Sequence, residues 1–138
     1  TVQRSITHVP EERYVTALDC AEVVREGSDI TLTGLGHTVH LALDAAEVLE
    51  PQGIHAEVID LRCIAPLDRA TIIRSVAKTG ALISIDDDYH SYGVGAEILA
   101  SVAEHEGISP EADFVSGYTR PFRAGNGALC SAERGEDR

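Results

Sequence analysis

Two kinds of segment alternate along the chain. Short apolar runs rich in Val, Ile and Leu predict buried strands, and longer stretches with apolar residues three or four apart predict amphipathic helices. The predicted strands are 21–26, 30–35, 56–61, 81–85 and 114–116. Helices are predicted after Gly36, after Asp68 and over 94–106. Their apolar stripes are Val39, Ala42, Leu43, Ala46 and Leu49, then Ile72, Ile73 and Val76, then Val94, Ile98, Leu99 and Val102.

Helix start and stop signals separate these elements. Pro51 and Gly53 end the first predicted helix. Asp68 is placed to accept hydrogen bonds from the first free amides of the second helix, and Gly80 ends that helix after Lys78, which complements the helix dipole. Strands that alternate with helices predict right-handed crossovers and a largely parallel sheet covered on both faces. The expected fold class is therefore α/β, a three-layer sandwich.

The two ends of the chain lack a clear period. We expect residues 1–20 to form an arm or linker, in which 15–18 offers an additional edge strand. Residues 21–120 are expected to form the domain, and residues 121–138 an irregular tail.

Composition and net charge limit the kinds of molecule that we expect the chain to bind. The 138 residues suffice for one domain with a real core, and 23 acids against 11 bases give a net charge of −12. Such a charge argues against nucleic acid or an anionic membrane as the main partner. Three scattered cysteines without a CxxC pair, no long apolar run and no secretory leader predict a reducing, cytoplasmic setting.

A glycine-containing turn is the first candidate site. Gly34, Gly36, His37 and Thr38 lie between a predicted strand and a predicted helix, where free amides and the helix dipole can hold an anion. Close strand–helix packing with a helix cap is the alternative explanation for the same residues.

A polar loop after the fourth predicted strand is the second candidate site. It contains Asp86, Asp87, Asp88, Tyr89, His90 and Tyr92. Magnesium binding by the three acids is disfavoured, because successive strand residues point to opposite faces. Tyr side chains suit partly buried contacts, so we predict a subunit interface here, with acid–base chemistry by His90 as the alternative.

Several segments in order resemble one family. These are VPEERY, AEVVREGSDITLTGLGHTVHLALDAAEVL, GIHAEVIDLRCIAPLD and SVAKTGALISIDDDYHSYGVGAEI. Together they resemble the C-terminal domain of transketolase-like thiamine diphosphate enzymes, and most of all the beta subunits of 2-oxo acid dehydrogenases of the pyruvate, branched-chain and acetoin types. The resemblance implies a mostly parallel five-stranded sheet with one antiparallel edge strand. Its most specific parts, EVIDLRCIAPLD and YGVGAEI, shape the fold and are not catalytic.

The resemblance also implies where the chemistry lies. The family's cofactor signature is a GDG followed by an Asn pair, whereas this chain has no GDG and Asn126 is its only Asn. We therefore expect no catalytic or metal-ligating residue and no cofactor on this chain alone, with thiamine diphosphate and magnesium held in an assembled enzyme. The expected partners are subunits that carry the cofactor-binding domains, in a homo- or hetero-oligomer.

The implied role is that of a non-catalytic subunit or separated C-terminal domain, which serves assembly and shapes the active-site entrance. The alternatives are a docking module for an acyltransferase-core partner and a free-standing anion-binding domain.

Overall fold

A single mixed sheet organises the part of the chain that the computed structural model describes, which comprises residues 11–87, 92–107 and 111–116. Its strands are β1 (Glu22–Arg25), β2 (Ile30–Gly34), β3 (Ala56–Asp60), β4 (Ala81–Asp86) and β5 (Glu111–Ser116), in the spatial order β1-β3-β2-β4-β5. The edge strand β1 pairs antiparallel with β3, and the other neighbouring strands pair in parallel. The predicted α/β class and the mostly parallel sheet with an antiparallel edge strand are confirmed.

Helices cover both faces of this sheet. They are α1 (His37–Leu49), α2 (Arg69–Thr79) and α3 (Val94–Ala103). Helix α1 buries its small apolar face against one side of the sheet, in a core formed by Leu32, Ala42, Ala46, Ala56 and Val58. Helices α2 and α3 cover the other side, in a core formed by Ile59, Leu61, Ile72, Val76, Leu82, Ile98 and Val102. The three-layer arrangement follows from the strand–helix alternation, as predicted.

The start of α2 forms as the sequence indicated. Asp68 is its N-cap residue, and the carboxylate accepts hydrogen bonds from the amide and the hydroxyl of Thr71 at 3.0 and 2.7 Å. The same carboxylate accepts the amide of Ala21 at 3.0 Å. Asp68 therefore ties the entry of β1 to the beginning of a helix 47 residues further along the chain.

The strand bounds of β1 to β4 differ from prediction by one residue at most, and two other boundaries differ by three residues. Helix α3 ends at Ala103 rather than at 106, because Glu104 and Glu106 put negative charge at the unfavourable end of the helix dipole. Strand β5 starts at Glu111, three residues before the predicted start. Residues 15–18 form no strand, so that part of the prediction is wrong. The edge belongs to β1, whose Val23 packs on the core, whereas Val15 is 91% exposed.

None of the helices in the described ranges combines the length and the apolar character that crossing a bilayer requires.

Candidate functional site

The described residues of the two candidate segments follow neighbouring strands at the carboxyl edge of the sheet. Strands β2 and β4 are parallel neighbours, with Thr33 in register with Ser84. After them the chain leaves in opposite directions, from β2 into α1 on one face and from β4 towards α3 on the other face. Such a switch point opens a crevice where α/β sheets commonly place ligands. The turn at Gly34–Thr38 and the end of β4 at Asp86 therefore lie on the two sides of this crevice.

Close packing explains the glycines of the β2–α1 turn. A Cβ atom on Gly34 would lie 2.8 Å from the amide nitrogen of Val39, so a side chain there would collide with the start of α1. Gly36 has φ of 59°, a backbone conformation that favours glycine. Thr38 is buried, and its hydroxyl oxygen accepts the amide of Leu35 at 2.8 Å.

Most amides of this turn donate hydrogen bonds to groups of the same turn. Thr38 donates to the carbonyl of Leu35 and Val39 donates to the carbonyl of Gly36, both at 3.3 Å. Gly36 and His37 remain exposed at the rim of the crevice. These contacts favour the packing-and-cap explanation of the turn, and the anion site at Gly34, Gly36, His37 and Thr38 stays a prediction.

The β4 side of the crevice is only partly described. Asp86 accepts the amide of Gly95 at 3.2 Å, so its carboxylate satisfies a free donor in the first turn of α3. Asp87 is exposed. Asp88, Tyr89 and His90 lie outside the described residues, and the interface predicted for them stays a prediction.

Tyr92 differs from the other described residues of this loop. Its φ is 69°, an uncommon conformation for a residue with a side chain, and the ring is fully exposed. In the turn after β3, which pairs with β2 on the side away from β4, Ile64 is 51% exposed. We call His37, Ile64, Asp87 and Tyr92 the carboxyl-edge surface. Ile64 was not singled out from sequence, although an Ile in a short turn before Pro66 was an available signal.

A charged cluster around one buried carboxylate lies at the opposite edge, next to the end of α2. The Glu57 side chain is 3% exposed and forms an ion pair with Lys78, which also pairs with Glu26 at 3.1 Å. Glu57 accepts the amide of Gly27 at 3.3 Å as well. Burial by itself raises the pKa of Glu57, but the hydrogen bonds from Lys78, Ser75 and Gly27 outweigh burial and hold this pKa below its ordinary value. The hydrogen bonds to Glu57 and Glu26 raise the pKa of Lys78.

An open cavity of about 220 Å³ adjoins this cluster. Its lining is Val23, Glu26, Glu57, Thr71, Arg74, Ser75 and Lys78. Two acids and two bases cancel in charge, and the hydroxyl of Ser75 is already bonded to that of Thr31 at 2.7 Å. We therefore assign this cluster to the fold, where it joins the β1–β2 turn and β3 to α2.

The described residues do not fit thiamine diphosphate with magnesium. Over 11–87 and 92–107 no group of three or more His, Cys, Asp or Glu side chains is arranged to hold a metal ion. The amides of Thr38 and Val39, at the start of α1, are bonded to carbonyls of their own turn.

Comparison with known proteins identifies the family. The model of the family described as transketolase, C-terminal domain, matches residues 19–129. The chain belongs to this family, which confirms the resemblance seen in the sequence.

Two curated relatives show where in the family the chain lies. The mitochondrial pyruvate dehydrogenase E1 component subunit beta of Pisum sativum is 52% identical over 84 residues, which are 61% of this chain and 23% of that protein. The 2-oxoisovalerate dehydrogenase subunit beta of Bacillus subtilis is 43% identical over 97 residues, 70% of this chain and 30% of that protein. The chain is thus related to 2-oxo acid dehydrogenase beta subunits, and it spans about a quarter to a third of their length.

A solved structure shares the fold. A split-gene transketolase, described as an inactive beta4 tetramer, superimposes with a TM-score of 0.70 at 28% identity. The match covers 79% of this chain and 35% of that chain.

Proposed function

We propose that this chain is a non-catalytic part of a thiamine diphosphate-dependent enzyme of the transketolase and 2-oxo acid dehydrogenase type. In this proposal it assembles with polypeptide that carries the two cofactor-binding domains, and it shapes the entrance to their active site. Family membership supports the class of enzyme. The observation that carries the assembly role is the exposure of Tyr92 and Ile64 on the carboxyl-edge surface.

The N-terminal arm supports the same role. Over residues 11–20 every side chain is exposed, including the large apolar side chains of Tyr14, Val15 and Leu18. The arm is held at its end by the hydrogen bond from Ala21 to Asp68. Contiguous exposed apolar groups mark interaction sites, so we assign this arm to the contact with the cofactor-binding domains.

The cofactor belongs, in this proposal, to the assembled enzyme and not to this chain alone. The proposal is supported by the lack of any group of three or more His, Cys, Asp or Glu side chains arranged for a metal ion within 11–87 and 92–107. The structural neighbour is described as inactive when it is a tetramer of beta chains, which parallels the inactivity that we expect for this chain by itself. The free thiols of Cys20 and Cys63 support a reducing, cytoplasmic compartment.

Reconstitution tests the proposal. The chain is titrated into chains that carry the two cofactor-binding domains, with thiamine diphosphate and magnesium present, and 2-oxo acid decarboxylation is measured. We expect no turnover from the chain alone and a saturable rise in activity when it is added. Turnover by the chain alone, or equal activity of the partner chains without it, contradicts the proposal.

Surface variants locate the contact. Tyr92→Ala and Ile64→Asp should each raise the half-saturating concentration by about tenfold, because aromatic and apolar anchors dominate interfaces. Ile54→Asp is the matched control, since Ile54 is 37% exposed and follows α1 at the opposite edge of the sheet. Circular dichroism confirms that each variant is folded. An effect of the control as large as that of Tyr92→Ala contradicts the assignment of the carboxyl-edge surface.

The charge of the chain favours a second candidate function. A net charge of −12 suits docking to a basic domain of an acyltransferase core. Binding of this kind weakens steeply with salt, so titration calorimetry at low and at physiological ionic strength distinguishes it from the mainly apolar contact of the first proposal.

A further inference from the structure

Two free thiols lie where the N-terminal arm meets the turn between β3 and α2. Cys20 is the last residue of the arm and is exposed, and Cys63, in the turn, is half-buried. Strand β1 pairs antiparallel with β3, and Glu22 lies opposite Asp60. Continued by two residues, this register sets position 20 opposite position 62, and Cys63 is the next residue of the facing segment.

Contacts beyond the strand pairing hold these two segments together. The Arg62 guanidinium forms an ion pair with the Glu22 carboxylate, which reaches from the turn to the first residue of β1. The Ala21 amide donates to the carboxylate of Asp68 at 3.0 Å, which ties the end of the arm to the far end of the same turn. The two cysteines therefore stand in segments that are fastened to each other on either side of them.

The charges around Cys20 agree with this placement. The pKa of Cys20 is raised mainly by the negative charge of Asp19, and the positive charge of Arg62 acts on the same thiol in the opposite direction. Cys20 therefore lies within electrostatic range of the residue that directly precedes Cys63. The Cys63 thiol donates only to the carbonyl of Ala65, at 3.2 Å, and a thiol is a weak donor, so little is lost when that contact is exchanged.

The backbone at this point suits a cross-link. Residues directly opposite each other in an antiparallel pair have Cα atoms about 4.5–5.5 Å apart, and a disulfide joins Cα atoms about 4.4–6.8 Å apart. The φ of Arg62 is 56°, so the alternation of side-chain directions along β3 does not extend across Arg62 to Cys63. The Cys63 side chain is thus not confined to the face opposite that of Cys20.

We propose that Cys20 and Cys63 form a reversible intramolecular disulfide by exchange with a small disulfide such as oxidised glutathione. The thiolate of one cysteine attacks a sulfur atom of oxidised glutathione and releases one molecule of reduced glutathione. The second cysteine then attacks the mixed disulfide and releases another. The two protein thiols lose two protons and two electrons, and the two glutathione thiols gain them.

The bond fixes the N-terminal arm to the turn that carries Ile64. It therefore couples the redox state of the chain to the freedom of the arm. This inference goes beyond the proposed function and does not depend on it, because it requires only this chain.

Peptide mapping of the purified chain is the first test. The folded chain is incubated with oxidised glutathione, the remaining thiols are blocked with N-ethylmaleimide, and the chain is cut with trypsin. Trypsin separates the three cysteines into the peptides 14–25, 63–69 and 124–134. We expect a linked pair of 14–25 and 63–69 as the main product, at a rate that does not depend on protein concentration. A main product that contains 124–134, or glutathione adducts without a protein disulfide, overturns the proposal.

A displaced cysteine is the matched control. Val24→Cys combined with Cys20→Ser keeps the number of thiols and keeps a cysteine in peptide 14–25, at a position that is 39% exposed. Position 24 lies about 13 Å further along the strand, beyond the reach of a disulfide to Cys63. The yield of the linked pair should fall by about tenfold or more, since the effective concentration of the two thiols is lost. Circular dichroism confirms that the variant is folded, and an unchanged yield contradicts the proposal.

Urea denaturation tests whether the bond fits the native fold. The disulfide closes a loop that contains β1, β2, α1 and β3, so the oxidised chain should have a urea midpoint higher by about 1 M or more. Reduction should reverse this shift, and Cys20→Ser and Cys63→Ser should each abolish it. An oxidised chain whose midpoint is unchanged or lower indicates that the two cysteines are not neighbours in the native fold, which contradicts the proposal.

Discussion

Replacing Asp68 by Ala tests how the edge strand and α2 are held together. The change removes three hydrogen bonds, from the Thr71 amide at 3.0 Å, the Thr71 hydroxyl at 2.7 Å and the Ala21 amide at 3.0 Å. At about 1 kcal/mol of net stabilisation for each bond, the expected loss is about 2–3 kcal/mol at pH 7, larger than the ~1 kcal/mol of an average N-cap. Urea denaturation followed by circular dichroism measures the free energy of unfolding.

The same contacts determine the pH dependence of this loss. Burial raises the pKa of Asp68, but the hydrogen bonds from Thr71 and Ala21 outweigh burial and lower this pKa in the folded chain. A carboxyl group with a lowered folded pKa stabilises the fold above its unfolded pKa of about 3.9, and the contribution disappears as the pH falls through the folded value. The difference between wild type and Asp68→Ala should therefore be complete at pH 6 and shrink below pH 4.

Asp68→Asn is the matched control. The Asn side chain keeps an oxygen for the Thr71 amide but replaces the oxygen that accepts the Ala21 amide and the Thr71 hydroxyl. Its stability at pH 7 should lie between that of wild type and that of the Ala variant. An Ala variant within 0.5 kcal/mol of wild type at pH 7, an effect below about half of a single hydrogen bond, refutes this account of Asp68.

Two further changes probe the interior. Gly27→Ala places a Cβ 2.2 Å from the backbone of Ala56, so we expect the free energy of unfolding to fall by more than about 3 kcal/mol, or the chain not to fold. Gly53→Ala is the comparison. Gly53 has a φ of 80° and a Cβ there meets open space, so this change should lower the free energy of unfolding by about 1 kcal/mol. Equal soluble yield and equal urea midpoints of the two variants contradict this. Thr33→Val should raise stability by about 1 kcal/mol in the same assay, because the buried Thr33 hydroxyl has no hydrogen-bond partner among the described residues; a less stable variant indicates that the hydroxyl is satisfied.

The candidate site shows how far sequence reasoning reaches. Both sides of the crevice were found from local signals, the glycines at Gly34 and Gly36 and the acids and tyrosines after Asp86. Their meeting at one switch point depends on β4 pairing with β2 rather than with β3, which no local pattern encodes. Whether Ile64 and Tyr92 are exposed likewise depends on which faces the neighbouring elements cover. The sequence around an apolar residue in a turn therefore does not show whether that residue lies in the core or on the surface.

Charged residues likewise separate into contacts that the sequence predicts and contacts that only the tertiary structure creates. Asp68 was predicted correctly as a cap, since capping is a contact between residues three apart. Lys78 was expected to complement the dipole of its helix, but its main contact is the carboxylate of Glu57, 21 residues earlier and almost fully buried. The sequence around an acid in an otherwise apolar strand does not indicate which residue will pair with it, because that residue belongs to another layer of the fold.

The order of strands and helices, the apolar face of each helix, the turn signals and the family resemblance were determined by the sequence alone, because each depends on residues close together in the chain. The tertiary structure decided which strands became neighbours, that β1 and not residues 15–18 forms the edge, and which charged groups meet beneath α2. These features depend on contacts between distant segments, and such contacts arise only when the layers pack.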